Sequence, residues 1–252
     1  MKMTCPVCGS SAVLLCDRSE NQYRCRSCDS FFSPDERSAP LPQPTKPLPR
    51  SAPKSIYREN IGSVVEIMAT FGDESQGGTG FYISESGYLL TNTHVLISQA
   101  DGKFVLCDAV YSSPSRSTDY SELEIVYIDP KHDLALLKPI EPTVCRPVVL
   151  ADRKPETGDR VYCIGNSRGD GLTLTEGIIG DTDRDYQKQS VFLFSAPVTT
   201  GCSGGPIFNA NGEVCGVTVA GFKTVLGMNY GIPLETVKTF LEAARDHKNL
   251  KF

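Results

Sequence analysis

From Ile56 onward the sequence alternates short apolar runs with turn residues. This pattern predicts strands over 61–68, 80–84, 88–91, 104–110, 123–128, 134–137, 160–164, 173–179, 191–195, 205–208 and 214–220. Asn209-Ala210-Asn211-Gly212 reads as the hairpin turn between the last two. Many short strands without helices between them predict an all-β barrel or sandwich rather than an α/β fold. Near the end, Leu234, Val237, Phe240 and Leu241 fall on one face of a helix with Pro233 near its start.

Upstream the pattern changes twice. Residues 33–54 carry seven prolines and almost no large apolar residue, which predicts an extended, polyproline-like linker. Residues 1–32 hold five of the ten cysteines. Cys5-x2-Cys8 and Cys25-x2-Cys28 have the spacing of a four-cysteine zinc site, because two intervening residues let both thiolates of a knuckle face one tetrahedral ion. About thirty residues build too small a core to fold alone, so metal binding would supply the folding energy, typically about 10–16 kcal/mol. The segment resembles a zinc ribbon, with Cys5, Cys8, Cys25 and Cys28 as ligands to a structural Zn2+ and Cys16 as a spare thiol. Arg18, Arg24 and Arg26 are offset by Asp17, Glu20 and Asp29, so the ribbon reads as structural or as a protein-docking module, with nucleic acid as the alternative partner.

Composition narrows the class. The protein has 252 residues and a net charge of −5, which argues against one that coats nucleic acid. No apolar run reaches the roughly 18 residues of a membrane span, so no membrane role is expected. Met1-Lys2-Met3-Thr4-Cys5-Pro6 lacks the apolar stretch of a secretory leader. Together with cysteines read as ligands and buried thiols, this predicts a cytoplasmic protein.

The chemistry centres on Gly201-Cys202-Ser203-Gly204-Gly205-Pro206, with His94 and Asp133 preceding it in the sequence. A serine hydroxyl is a weak nucleophile at neutral pH. It needs an imidazole to take its proton and a carboxylate to fix that imidazole's tautomer. Glycines around the serine let backbone N–H groups converge on an oxyanion. Asp129 is a rival to Asp133, and Cys202 a rival nucleophile. The Gly-x-Ser-x-Gly of α/β-hydrolases also fits, although it requires a helix after the serine and a later histidine.

Gly78-Thr79-Gly80-Phe81-Tyr82-Ile83, the run Gly87–Val95, Asp133-Leu134-Ala135-Leu136-Leu137-Lys138, Glu176-Gly177-Ile178-Ile179, Ser195 through Pro206, and Tyr230-Gly231-Ile232-Pro233 resemble trypsin-like serine proteases of the Deg/HtrA type over about residues 56–245. The resemblance implies two six-stranded antiparallel β-barrels and a C-terminal helix. It implies His94 as general base, Asp133 as its orienter and Ser203 as the acylated nucleophile, with Gly201, Cys202 and Ser203 N–H groups at the oxyanion hole. It further implies that Pro197, Thr200, Val219, Ala220 and Gly221 shape the substrate pocket. No acidic residue stands at those positions, so a small or medium apolar side chain is the expected preference.

The expected organisation is thus a zinc ribbon over 1–32, a linker over 33–54 and a trypsin-like domain over 55–252. The expected function is a serine endopeptidase acting on protein substrates, with the ribbon for recruitment or regulation. The alternatives are a protease-shaped binding module that does not cut, or a protein docked on nucleic acid through its ribbon.

Overall fold

The computed structural model describes residues 13–17, 22–25, 31–32, 53–100, 103–186, 188–221, 227–248 and 250. The protein divides into two units, Met1–Pro49 and Arg50–Phe252. In the first, β1 (Val13–Asp17), β2 (Gln22–Cys25) and β3 (Phe31–Phe32) form an antiparallel sheet in that order. Cys25 closes β2, while Cys5, Cys8 and Cys28 lie outside the described residues.

The second unit opens with α1 (Pro53–Asn60), a helix that begins at the end of the predicted linker. Proline at a first helical position loses no hydrogen bond and is preset in φ, so Pro53 starts this helix instead of preventing one. Ile56 is buried, and Asn60 Nδ2 donates to its carbonyl (3.0 Å).

Eight strands follow: β4 (Val64–Phe71), β5 (Glu74–Tyr82), β6 (Leu89–Thr91), β7 (Ile97–Ala100), β8 (Lys103–Leu106), β9 (Ala109–Ser113), β10 (Ser121–Asp129) and β11 (Leu134–Pro139). Six of them close a barrel in the order β10-β11-β6-β5-β4-β9, and β7 and β8 pair as a separate ribbon. The next six are β12 (Arg160–Asn166), β13 (Leu172–Tyr186), β14 (Gln189–Phe194), β15 (Pro206–Phe208), β16 (Val214–Gly221) and β17 (Asn229–Pro233). They close in the order β12-β13-β14-β17-β16-β15, and α2 (Leu234–Lys248) follows.

Period-two alternation in β11 explains how the barrels join. Ala135 and Leu137 point into the first barrel with Ile67, Leu89 and Val110. Leu134 and Leu136 point the other way, into a layer shared with Tyr162, Ile164, Phe208 and Val217 of the second barrel. That layer also takes Val237, Phe240 and Leu241 of α2, three of the four residues on the predicted helix face, while Leu234 packs into the second barrel. Burying each such side chain stabilises by about 1.5–3 kcal/mol, so Asp133, at the head of β11, is held by both barrels.

In the second unit, α1, β7 and β17 were not evident from apolar runs. The predicted strand over 104–110 breaks at Cys107 and Asp108, whose N–H groups go to Leu96 O (2.9 Å) and Thr70 O (2.8 Å). β5 begins earlier than predicted because Gly77, Gly78 and Gly80 hide its alternation. At Gly78 a Cβ would stand 2.6 Å from Val95 Cγ1, so this packed strand position is left without a side chain.

Candidate active site

The first barrel supplies a histidine gripped by a carboxylate. His94 sits in a short 3-10 turn, Thr93–Leu96, whose Thr93, Val95 and Leu96 side chains are buried while His94 faces solvent. Asp133 occupies the left-handed region (φ 55°), which lets its carbonyl and carboxylate both turn toward the same segment. Its Oδ1 accepts the His94 backbone N–H (2.8 Å) and its Oδ2 pairs with His94 Nδ1 (2.7 Å). Its carbonyl accepts from Asn92 Nδ2 (2.8 Å) and Thr93 N–H (3.3 Å). A carboxylate on Nδ1 favours the tautomer with the proton there, which leaves the Nε2 lone pair free to take a proton. Gln76 Nε2 holds the His94 carbonyl (2.6 Å). The rival Asp129 is occupied elsewhere, with Oδ2 on His132 Nδ1 (2.5 Å) and Oδ1 on the Lys131 N–H (3.0 Å).

The second barrel supplies the serine loop, and two glycines set its path. Gly201 (φ 95°) has no room for a side chain, since a Cβ would lie 2.1 Å from Asn166 O. Gly204 (φ 82°) would place one 2.3 Å from both Thr79 O and Thr91 Oγ1. Ser203–Gly204 therefore press against the end of β6, close in sequence to His94. Ser203 O accepts the Thr79 N–H (2.9 Å), and Gly204 N–H goes to Thr218 O (2.9 Å). The Ser203 hydroxyl itself donates to Val219 O (2.8 Å).

Thr79 ties the halves together. Its hydroxyl donates to Gly201 O (2.7 Å) and accepts the Asn166 N–H (2.9 Å), all of it buried. The sequence marks Gly78-Thr79-Gly80 as a motif but assigns Thr79 no task; a hydroxyl between two glycines on a buried strand was the available signal. Cys202 N–H is spent on Thr199 O (3.0 Å) and its thiol is buried beside Ser167 Oγ (3.5 Å). Burial pushes the Cys163 thiol well above its ordinary range and Cys215 up to about 12, so neither supplies a thiolate near neutral pH.

A cleft of about 500 Å³ adjoins this loop, lined by Gly77, Asn166, Arg168, Gly169 and Thr199 through Gly201. Of the residues predicted for the substrate pocket, Thr200 lines this cleft. Pro197 is exposed, Val219 is buried with its carbonyl on Ser203, and Ala220 and Gly221 pair with Tyr230 and Asn229. Among the described residues no three His, Cys, Asp or Glu side chains group to hold a metal, and no helix is long and apolar enough to cross a membrane.

Residues 78–217 match the family described as trypsin-like peptidase domain. The protein is 36% identical over 176 residues to the probable periplasmic serine endoprotease DegP-like of Brucella suis biovar 1 (strain 1330), covering 66% of this chain and 32% of that protein. It is 32% identical over 177 residues to serine protease HTRA4 of Mus musculus, covering 67% of this chain and 34% of the relative. It thus spans about a third of the length of the curated relatives it matches. The serine endoprotease from Yersinia pestis superposes with a TM-score of 0.67 at 28% identity, over 79% of this chain and 68% of that one. The HtrA-type protease AlgW with tripeptide gives 0.68 at 26%, over 78% and 64%.

These relatives correct the cytoplasmic expectation. The matching proteins of Brucella suis, Rhizobium meliloti and Pseudomonas putida are named periplasmic, which points away from the cytoplasm. Cysteine content misled because burial shelters thiols such as Cys163 and Cys215 on either side of a membrane. By its matched residues and its relatives, this protein belongs to the trypsin-like peptidase family.

Proposed function

We propose that the protein is a serine endopeptidase that cuts protein substrates through an acyl-enzyme. The observation that carries this is the double hold of Asp133 on His94, at 2.8 Å to the backbone and 2.7 Å to the ring. In the proposed reaction His94 Nε2 removes the Ser203 proton as Oγ adds to the scissile carbonyl. The resulting oxyanion lies on the N–H groups of Gly201 and Ser203, each such donor being worth about 3 kcal/mol of barrier. His94 then protonates the leaving amine, and water enters by the same proton path to release the acid. The Ser203 hydroxyl must first leave Val219 O, so substrate binding coincides with a turn of that side chain. Incubating the protein with an unfolded substrate such as casein tests this. New peptide termini that appear with the wild type and not with Ser203→Ala are the expected result.

A second reading, a barrel that binds without cutting, draws on the same Ser203–Val219 hydrogen bond. Intact casein with a folded wild-type protein would favour it.

For the first unit we propose a structural Zn2+ on Cys5, Cys8, Cys25 and Cys28. Support comes from the paired spacing and from the register of β1 and β2, where Val13 stands opposite Cys25 at the open end of the hairpin. The ion would supply folding energy and no catalysis. One zinc per protein molecule by elemental analysis, lost in Cys5→Ser and Cys28→Ser, is the expected outcome. The unit would serve protein substrate recruitment.

A further inference from the structure

The cleft beside the serine loop carries a charge that the peptidase reading does not use. Arg168 stands on its wall, in the turn after β12, with a left-handed backbone (φ 61°). Such a conformation is unfavourable for a non-glycine residue, and the surroundings hold it in place. Arg168 N–H donates to Thr200 O (2.8 Å), and the space a Gly201 side chain would need reaches to 3.5 Å from Arg168 N. The arginine is thus anchored by its backbone to the residue before Gly201, while its side chain stays exposed.

None of the residues lining the cleft is acidic. Glu66, which reaches Asn166 Nδ2 (3.3 Å), also accepts the Arg116 N–H (2.9 Å). Among the described residues the Arg168 guanidinium forms no ion pair. A fixed backbone, a fork of N–H donors without a carboxylate and an open cleft of about 500 Å³ together describe a carboxylate receiver. Its place is set by the nucleophile. Val219, on β16, touches Ser203 from one side, whereas this cleft runs from Gly201 to Gly77 of β5, on the barrel that carries His94. His94 delivers its proton to the leaving amine, so the substrate segment after the cut bond lies toward that barrel.

We propose that Arg168 is a specificity-determining residue that favours substrates with an aspartate or glutamate within the first three positions after the cut bond. The inference rests on the peptidase reading for cleavage and not for binding. The test therefore uses two arms. Pairs of fluorescent peptides differ only by Asp or Asn at each of those three positions. Binding is measured by anisotropy on the Ser203→Ala protein, and turnover on the wild type, each with Arg168→Gln and Arg168→Glu alongside. The expected result is an acidic peptide favoured about three- to fivefold at one position, as befits an exposed charge pair. The preference falls to about one in Arg168→Gln, reverses in Arg168→Glu, and fades with added salt. Equal affinities for Asp and Asn peptides, or a preference that survives Arg168→Gln, would overturn the proposal. A protein that binds with the Asp preference and cleaves neither peptide would sustain Arg168 and contradict the peptidase reading instead.

Discussion

The two barrels bring unequal preparation to the site. In the first, His94 and Asp133 already stand in contact, with carboxylate on ring nitrogen at 2.7 Å and a backbone bond beside it. In the second, the hydroxyl of Ser203, the proposed nucleophile, rests on a carbonyl, Val219 O at 2.8 Å, in its own barrel. The difference follows from how each half is built. Asp133 heads a strand buried on both faces, so its position is over-determined by core packing. Ser203 lies on a loop shaped by positive-φ glycines and held by a few hydrogen bonds, among them those of Thr79. Packing fixes Asp133 and with it His94, the proposed proton acceptor, whereas hydrogen bonds hold the loop of Ser203, the proposed nucleophile.

The strongest way to break this comparison is to remove either partner. Ser203→Ala and His94→Ala should each lower kcat by about 10⁶-fold, and the double variant little further, because the pair acts as a unit. Additive losses in peptide kinetics would show that the halves work independently. Asp133→Asn should cost about 10⁴-fold by favouring the wrong imidazole tautomer, with circular dichroism unchanged; retained activity would demote the first barrel's grip.

Gly204→Ala attacks the second barrel's loop. With Thr79 O and Thr91 Oγ1 only 2.3 Å from the new Cβ, the loop must shift. A stability loss of about 2–4 kcal/mol is expected in urea unfolding, together with lost turnover. A neutral Gly204→Ala would mean the loop is looser than its contacts imply.

The smallest effect belongs to the tie. Thr79→Val keeps shape and deletes the hydroxyl, leaving Gly201 O and Asn166 N–H buried without it, at about 1–3 kcal/mol. Turnover should fall about tenfold with KM nearly unchanged, since a loss of roughly 1.4 kcal/mol in positioning is a factor of ten in rate. Thr79→Ser should restore most of it. A loss confined to KM would place Thr79 in substrate binding instead.

Much of this was legible in the sequence. Alternation exposed most strands, and Leu234, Val237, Phe240 and Leu241 exposed α2, because burial on one face writes itself into sequence period. The order of His94, Asp133 and Ser203 pointed to one chemistry, and the structure sets the first two in contact. What stayed hidden depends on backbone partners. Val219 acts through a carbonyl that every residue owns, and Thr79 through a hydroxyl whose partners are backbone groups, so side-chain identity gave little clue to their roles. Arg168 looked like any loop arginine until the bond to Thr200 O put it beside Gly201. Asp133 in the left-handed region, likewise, reflects a turn that no apolar period encodes. Compartment was misread for a related reason, since burial of a thiol looks alike in any location.

The most direct test of a His94-activated Ser203 is covalent labelling by a fluorophosphonate probe, mapped by mass spectrometry. The expected result is one adduct on Ser203 in the wild type, absent from Ser203→Ala and from His94→Ala. A folded wild type that takes no label, or a His94→Ala protein that labels as fast as the wild type, would contradict an assembled nucleophile.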